Sequence, residues 1–365
     1  MSGFLLNEVC ELIVDCPHTT ANDEGKGFPL VRTPNIGKGR LVYDGMHRVC
    51  EDVYKKRNAR AIPQENDLIF AREATAGNVA LIQKGEKVCL GQRTVLIRPN
   101  QEKVNPAFLT YFLLAPKQQY NLLSTANGAT VAHFNLPTIR NLKIDLPELP
   151  IQHRIATILS RYDSLIENYQ KQIKLLEESA QRLYKEWFID LRFPGHENTK
   201  IVDGVPEGWE KGILDNIAYE AGKKIDKKYR ENYGCYMPID CLPKKNLTYI
   251  ESASILLAES SLVSFKKGDI IFGAMRPYFH KVCFAQSEGL TRTTCFVLNS
   301  RLNEYREYLL MLMFEDSTVK HATSISVGTT MPYTRWKDLK SMEILIPDKK
   351  TVVLFGKEMS FPENG

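Results

Sequence analysis

The sequence predicts a mixed α/β (α+β) protein in which two similar domains are separated by one long helix. The chain has 365 residues, which is more than a single domain usually holds. Residues 151–193 contain neither Gly nor Pro and carry apolar residues at helical spacing. The segments on either side of this stretch repeat each other in the same order, so we expect one shared scaffold in residues 1–150 and 195–347.

The first repeated block is a turn followed by an aspartate and an apolar strand that ends in phenylalanine. Asp67 matches Asp269, and Phe70 matches Phe272. The two copies read NDLIFAREATAGNVALIQ (66–83) and GDIIFGAMRPYFHKVCFAQ (268–286). The pattern predicts a buried strand at the same place in both domains.

The second repeated block has a constant offset of 200 residues. NGATVAHFNLPTIRNLKIDLP (127–147) faces VGTTMPYTRWKDLKSMEILIP (327–347). The matching pairs are Gly128 and Gly328, Ile139 and Leu339, Leu142 and Met342, Ile144 and Ile344, and Pro147 and Pro347. A register kept over about 20 residues predicts a short helix and then an alternating strand in each copy.

The segments that precede these blocks differ between the copies. FPLVRTPNIGKGRLVYDG (28–45) has no close counterpart in YGCYMPIDCLPKKNLTYI (233–250), although both are predicted as strand, turn and strand. A constant scaffold with one variable part is what two recognition modules with different targets would show. Gene duplication followed by drift predicts the same scatter.

The spacer is predicted as a helix of the coiled-coil type, because its apolar residues recur in steps of three or four. Six acidic and six basic residues lie between positions 151 and 190, whereas a helix that tracks DNA should be strongly basic. We therefore expect the helix to contact protein; the alternative is a helix lying on the core of its own domain. The predicted interface residues are Ile158, Tyr162, Leu165, Tyr169, Ile173, Leu176, Leu183 and Trp187.

Composition excludes few classes of protein. A formal charge of +5 is compatible with nucleic-acid binding but does not establish it. No signal peptide and no apolar run of membrane-spanning length is found, which predicts a cytoplasmic protein. The eight cysteines form no CxxC pair, so we expect reduced thiols rather than a metal site or disulfides.

No motif predicts a catalytic residue. NPAF (105–108) is the nearest match to a methyltransferase tetrapeptide, but it lacks the second proline and an accompanying glycine-rich loop. Asn105 and Pro106 instead predict a helix N-cap and first turn. The phosphate-binding pattern GxxxxGK[ST] is absent, and His18 and His133 are expected to have structural roles.

Several segments together resemble the specificity subunits of type I restriction-modification enzymes. The opening of the first domain, both ends of the central helix, the entry to the second domain and the start of the last segment each look like a family motif. They read DCPHTT (15–20), PLVRTPNIGKG (29–39), LPELPIQHRIATIL (146–159), RLYKEWF (182–188), VPEGWE (205–210) and IPDKK (346–350).

The resemblance implies a non-catalytic subunit in which two target recognition domains, 1–150 and 195–347, each read one half of a split double-stranded DNA target. The central conserved helix, 151–194, would act as spacer and would dock two methyltransferase subunits, which restriction subunits join. S-adenosylmethionine, ATP and Mg²⁺ are expected on those partners, with no cofactor and no metal on this chain.

The chain departs from the family pattern after Pro347, where a second long helix is expected. Only 18 residues follow, so we interpret 348–365 as a remnant of the distal conserved region. We then expect the apolar stripe to find its partner in trans, by homodimerisation or on another subunit. A truncated or phase-variable fragment that acts as a coiled-coil interaction protein, and a single-chain DNA methyltransferase, are the alternatives.

Candidate DNA contacts come from the basic residues of the variable parts. Residues 26–60 hold nine Lys or Arg against three acids, although a charge run is often only a solvated face. The candidates share a side chain able to bind phosphates or base edges. They are Arg32, Asn35, Lys38, Arg40, Arg72 and Arg93 in the first domain and Lys227, Arg276, Lys281 and Arg292 in the second.

Overall fold

The computed structural model describes residues 2–124 and 133–359, and it divides the chain into two compact units. The first unit covers residues 1–167 and the second covers residues 168–365, so the boundary falls inside the long helix. The prediction for Gly128 lies outside the described residues. Within the described ranges, none of the helices is long and apolar enough to cross a membrane.

The first unit contains two sheets and a strand pair. A four-stranded antiparallel sheet has the order β2-β8-β5-β6, a three-stranded sheet has the order β4-β3-β7, and β1 pairs with β9. The elements are β1 (Ser2–Leu5), β2 (Cys10–Asp15), β3 (Phe28–Val31), β4 (His47–Val49), α1 (Glu51–Arg57), β5 (Leu68–Ala71), β6 (Val79–Leu81), β7 (Cys89–Leu90), β8 (Thr94–Pro99), α2 (Pro106–Leu114), α3 (Pro116–Ser124), α4 (Leu136–Arg140), β9 (Lys143–Leu146) and α5 (Leu149–Tyr184).

The second unit repeats this architecture. Its four-stranded sheet, β13-β19-β16-β17, has the same order as the first, and β12 pairs with β20 as β1 pairs with β9. The elements are β10 (Ile201–Val202), β11 (Val205–Pro206), β12 (Glu210–Ile213), α6 (Leu214–Ile217), β13 (Ala218–Glu220), β14 (Lys223–Ile225), β15 (Leu262–Phe265), β16 (Ile270–Gly273), β17 (Val282–Phe284), β18 (Gly289–Arg292), β19 (Cys295–Ser300), α7 (Arg306–Phe314), α8 (Asp316–Ser324), α9 (Trp336–Leu339), β20 (Glu343–Ile346) and α10 (Lys349–Met359). The predicted fold class, two similar α/β domains with a long helix between them, is confirmed.

The matching aspartates, Asp67 and Asp269, have the same structural role in the two domains. Both are buried, and each accepts a hydrogen bond from the turn before its strand: Asp67 from the Gln64 backbone N–H (2.9 Å) and Asp269 from that of Lys266 (2.7 Å). A buried carboxylate is stable only when its oxygens are paired. The phenylalanines that follow, Phe70 and Phe272, lie in the two cores.

The predicted cap of α2 is confirmed. The Asn105 side chain accepts a hydrogen bond from the Phe108 backbone N–H (2.9 Å), and Pro106 occupies the first turn. Both features satisfy or avoid free N–H groups at a helix start. The helix that follows is largely buried, which supports a structural role for this segment.

The variable segment of the second domain differs from its prediction. Residues 233–250 form no strand, and Tyr236 makes only isolated bridges to Ala253 and Leu290. Pro238 and Pro243 lack the N–H that a strand ladder requires, and Lys245 has a left-handed backbone (φ 55°). In the first domain only β3, at the start of 28–45, is a regular strand.

The central helix is close to its prediction but ends in a π-turn over Lys185–Ile189. Trp187 is 7% exposed and belongs to the second unit's core, and Leu183 is partly buried against that core. The prediction that Trp187 is a subunit interface residue is therefore wrong. Tyr184, which precedes the π-turn, is buried in the same core and packs against Phe188, so this end of the helix lies on the domain.

The last described helix, α10, is 11 residues long and begins three residues after β20, as α5 begins three residues after β9. Val352 and Phe355 of α10 are fully buried in the second unit. The Trp209 indole N–H donates to Asp348 (3.0 Å) just before the helix. The start of the segment predicted as a distal remnant is thus an ordered part of the domain.

Candidate nucleic-acid interface

Two of the predicted DNA contacts in the first domain line one small basic cavity. Arg32 comes from the end of β3 and Arg93 from the turn before β8. They share a cavity of about 270 Å³, and no carboxylate is among the residues that line it. The other residues of the cavity are Thr20, Ala21, Leu30, Thr33, Pro34, Arg57 and Gln92. Three guanidinium groups around one concave surface favour an anionic or acceptor-rich ligand.

Arg57 is the fixed member of this cavity. Its side chain is buried and donates to the carbonyl oxygens of Leu90 (2.9 Å) and Thr19 (2.5 Å). The Arg32 guanidinium donates through Nη2 to the Gly45 carbonyl (3.1 Å), while its buried Nε has no hydrogen-bond partner. Because Nε is buried, the donors of Arg32 that remain for a ligand are those of Nη1 and Nη2.

Arg93 lies at the exposed end of an ion-pair network that also contains Asp15, Arg72, Glu73 and His133. Arg93 pairs with Glu73 (Nε to Oε2, 2.9 Å), and Glu73 also faces His133 (Oε1 to Nδ1, 2.8 Å). The side chain of Arg93 is 55% exposed and its backbone is left-handed (φ 67°). The ion pair with Glu73 holds the Nε atom of Arg93, while the rest of the guanidinium is open to solvent.

Arg72 occupies the buried centre of the same network. Its guanidinium pairs with Asp15 (2.7 Å) and donates to the Phe134 carbonyl (2.8 Å). His18 also contacts Asp15 (3.0 Å), so both histidines singled out in the sequence lie beside carboxylates. With these partners Arg72 positions the network, and its location does not support a direct base contact.

Asn35 has a structural position as well. It is buried, its Oδ1 accepts from the Arg32 backbone N–H (3.2 Å) and its Nδ2 donates to the Val42 carbonyl (3.1 Å). These bonds close the turn between Arg32 and Val42, so the predicted base contact of Asn35 is not supported. Lys38 is exposed within that turn, and Arg40 pairs with Glu167 of α5 (2.9 Å).

The candidates of the second domain form two pairs. Lys227 and Arg292 contact the adjacent residues Glu259 and Ser260, and Arg276 and Lys281 both lie between β16 and β17. Lys227 forms an ion pair with Glu259, and Lys281 donates through Nζ to the Ile239 carbonyl (2.6 Å). Arg292 is exposed at the end of β18. Arg276 lies in the connection between β16 and β17, which corresponds to the Arg72 connection between β5 and β6. Unlike Arg72, it donates only to backbone carbonyls among the described contacts, such as that of Thr330 (3.2 Å).

Sequence reasoning missed an exposed aromatic residue in this connection. Half of the Tyr278 side chain is exposed, and its ring packs on Phe279 (4.8 Å between centroids). The Lys244 ammonium lies over the other ring, 4.6 Å from its centroid. The offset between the copies rises by one residue across this connection, from 202 at Phe70/Phe272 to 203 at Val79/Val282, and that insertion was the available signal.

The described residues contain no group of three or more His, Cys, Asp or Glu side chains that could hold a metal ion. All eight cysteines are free. Burial raises the pKa of Cys89 and of Cys295 to about 11, so both are thiols at neutral pH. Burial also lowers the pKa of His280, despite the opposing effects of the Phe314 carbonyl and Asp316.

The middle of α5 contacts the domains through polar side chains and leaves its apolar face open. Tyr111 donates to Asp163 (2.6 Å) in the first unit, and Glu177 accepts from the Thr248 backbone N–H (2.9 Å) in the second. The residues that we name the exposed stripe are each between 39% and 62% exposed. They are Ile158, Tyr162, Leu165, Tyr169, Ile173 and Leu176.

Comparison with known proteins finds one family twice in this chain. The profile of the type I restriction modification DNA specificity domain matches residues 3–178 and residues 206–358. The specificity subunit of the type I restriction enzyme MjaIX from Methanocaldococcus jannaschii is 25% identical over 350 residues, which cover 91% of this chain and 79% of the relative. The MjaVIII specificity subunit of the same organism is 26% identical over 352 residues, covering 91% and 78%.

A solved structure has a similar fold. The crystal structure of the type I restriction-modification S subunit from M. genitalium has a TM-score of 0.57 and 14% sequence identity, covering 98% of this chain and 90% of that one. At this identity the likeness concerns the fold alone. It agrees with two similar α/β domains joined by a long helix.

Proposed function

Because this chain belongs to the type I restriction-modification DNA specificity family, we propose that it reads a bipartite DNA target, one half-site with each recognition domain. One observation carries the proposal. The same four-stranded framework occurs twice, β2-β8-β5-β6 and β13-β19-β16-β17, while the segments inserted before β5 and β16 differ in length and structure. A constant scaffold with different loops suits two different half-sites better than two copies of one.

In the first domain, we assign the DNA contact to the cavity of Arg32 and Arg93. Guanidinium groups pair with guanine O6 and N7 or with phosphates, and both residues line this cavity, with Arg93 more than half exposed. Lys38 and Arg40 are placed on the neighbouring turn as phosphate contacts. Arg72 acts as a positioning residue, because its ion pair with Asp15 holds the network to which Arg93 belongs.

In the second domain, we assign Arg276 and Arg292 to the DNA surface and treat Lys227 as a phosphate contact. Lys227 must exchange Glu259 for a phosphate, so its net contribution is expected to be small. Lys281 already donates a hydrogen bond to the Ile239 carbonyl, so we place it next to the DNA surface and assign it no direct DNA contact.

We assign protein docking to the exposed stripe of α5. Burial of these half-exposed apolar side chains by a partner would lower the free energy of the complex. The helix carries equal numbers of acidic and basic residues, which does not favour binding to DNA. The expected partners are methyltransferase subunits, which restriction subunits join, or a second copy of this chain. S-adenosylmethionine, ATP and Mg²⁺ are then bound by partner subunits, and catalysis occurs there, in the cytoplasm.

Co-expression with the type I methyltransferase subunit of the same host, followed by methylome sequencing, tests the proposal. We expect a new methylation motif of two short defined sequences separated by a fixed undefined spacer. An exchange of the segment 26–60 for that of a related subunit should change one half of the motif only. No new motif, or a continuous one, would contradict bipartite reading.

The exposed stripe also supports a second candidate, a coiled-coil interaction protein that binds no DNA. A gel shift with the full chain, alone and with the methyltransferase subunit, separates the two functions. Calorimetry with S-adenosylmethionine and the isolated chain tests the remaining alternative, a single-chain methyltransferase, for which binding would be required.

A further inference from the structure

We propose that the connection between β16 and β17 is a DNA-contacting wedge and that Tyr278 at its tip stacks on a base of the second half-site. The inference rests on the proposed function, since it names the group through which the second domain would grip its DNA. Tyr278 is the middle residue of a single helical turn, Pro277–Phe279, and half of its side chain surface is exposed. Aromatic rings are suited to this contact because every base presents a flat face.

The backbone on both sides of the tip is strained. Arg276 (φ 50°, ψ 58°) and His280 (φ 51°, ψ 59°) both have the left-handed conformation, which a residue with a Cβ atom adopts rarely. Such residues persist only where the surrounding structure holds them, and they cluster at sites that bind ligands. Two of them within five residues mark this turn as a conformation that the fold maintains.

Each strained residue has its own anchor. The Arg276 backbone N–H donates to the Pro332 carbonyl (2.7 Å). The buried His280 imidazole lies 2.8 Å from the Phe314 carbonyl oxygen through Nε2 and 3.1 Å from Asp316 through Nδ1. The ends of the turn are thus fixed while its tip remains open. A group held in this way loses little conformational freedom when it binds.

The charge around the tip favours a polyanion. Lys244 lies over the Phe279 ring and Lys245 lies beside Asp316 (3.7 Å), whose charge also faces His280. Residues 270–287 and 317–337, which meet at Arg276, contain no Asp or Glu. An aromatic tip flanked by cations is the combination that binds the bases and the backbone of nucleic acid together.

The first domain lacks this device. Its matching connection, REATAGN (72–78), has no aromatic residue, and Thr75 and Asn78 donate instead to the Thr33 and Ile36 carbonyls. The proposal therefore assigns stacking to one half-site only, and an effect confined to that half-site is its signature.

The test uses the full chain assembled with its methyltransferase subunit and a duplex that carries the motif from methylome sequencing. 2-Aminopurine is placed at successive positions of each half-site, because its fluorescence reports stacking. We expect Tyr278→Ala to weaken binding about 5- to 150-fold and to abolish the fluorescence change in the second half-site only. Tyr278→Phe should retain both, and the salt dependence should be unchanged, because the ring is uncharged.

Tyr219→Ala is the matched control, since Tyr219 is a partly exposed tyrosine of the same domain with a cation, Arg301, over its ring. Equal thermal unfolding of the two alanine variants would show that both fold. Normal binding by Tyr278→Ala would overturn the proposal, as would a defect that vanishes once only assembled complexes are counted, which would indicate a protein contact. A wild-type complex that binds no motif duplex would refute the proposed function and this inference with it.

Discussion

Substitution of stripe residues by alanine should weaken the binding of a protein partner without unfolding the chain. The perturbation is the triple variant Tyr162→Ala, Leu165→Ala and Tyr169→Ala, whose side chains are 62%, 46% and 55% exposed. Complete burial of such a side chain contributes about 1.5–3 kcal/mol, so covering the exposed half gives about 1 kcal/mol each. The three together give about 3 kcal/mol, or about a 150-fold change in Kd. Alanine favours the helix, so α5 should remain folded.

The assay measures the Kd of the chain for the type I methyltransferase subunit of the same host, the proposed partner, by interferometry and the self-association of the chain by sedimentation velocity. The control is Ser164→Ala and Lys171→Ala, two exposed residues on the other side of the same helix by its 3.6-residue period. The control should change the Kd by no more than about twofold. The reasoning is refuted if the stripe variant leaves both the Kd and the self-association unchanged.

Three further predictions concern the domains themselves. Phe355→Ala removes a fully buried ring 4.9 Å from that of Phe188, and it should lower the unfolding free energy of the second domain by about 3–5 kcal/mol in urea titrations; a loss below about 1 kcal/mol would contradict the packing. Arg93→Ala should cost about 1–3 kcal/mol of DNA binding and relax the motif in the first half-site; if methylome sequencing shows an unchanged motif and only the salt dependence falls, Arg93 binds phosphate. Because burial lowers the pKa of His280, the unfolded chain takes up that proton first, so unfolding free energy should fall as the pH drops below about 6.5, and less so in His280→Gln. An equal slope in both proteins would show that other groups cause the pH dependence.

The repeated framework could be predicted from the sequence because local chemistry specifies it. Asp67 and Asp269 cap the turn before a buried strand, and Asn105 caps α2. Each of these side chains accepts a hydrogen bond from a backbone N–H three positions away, so a short sequence pattern is enough to predict it. The alternation of apolar residues in β9 and β20 is local in the same way.

The candidate site could be predicted only in part because its geometry depends on contacts that are distant in sequence. Arg72 has the side chain of a base reader, but it pairs with Asp15, 57 positions away. Asn35 differs, because it closes a local turn with Arg32 and Val42, three and seven positions away, and its residue type alone does not distinguish that role from base reading. Arg32 and Arg93 meet in one cavity because β3 and the turn before β8 approach each other. Trp187 keeps the spacing of the stripe, but it packs in the second unit's core against Phe355 of α10.

The anchoring of α5 explains how an apolar stripe can stay exposed and ready for a partner. Gln152 and Ala156 near its start are buried in the first unit, and Tyr184 near its end is buried in the second. An isolated helix must nucleate in water, whereas a segment fixed in helical form at both ends only propagates. The stretch between Thr157 and Leu176 is therefore helical before any partner binds. A partner that covers it does not have to order it, so the free energy of burial goes into affinity. The same argument makes the docking surface sensitive to its ends, since loosening the packing of Tyr184 would free one anchor without touching the stripe.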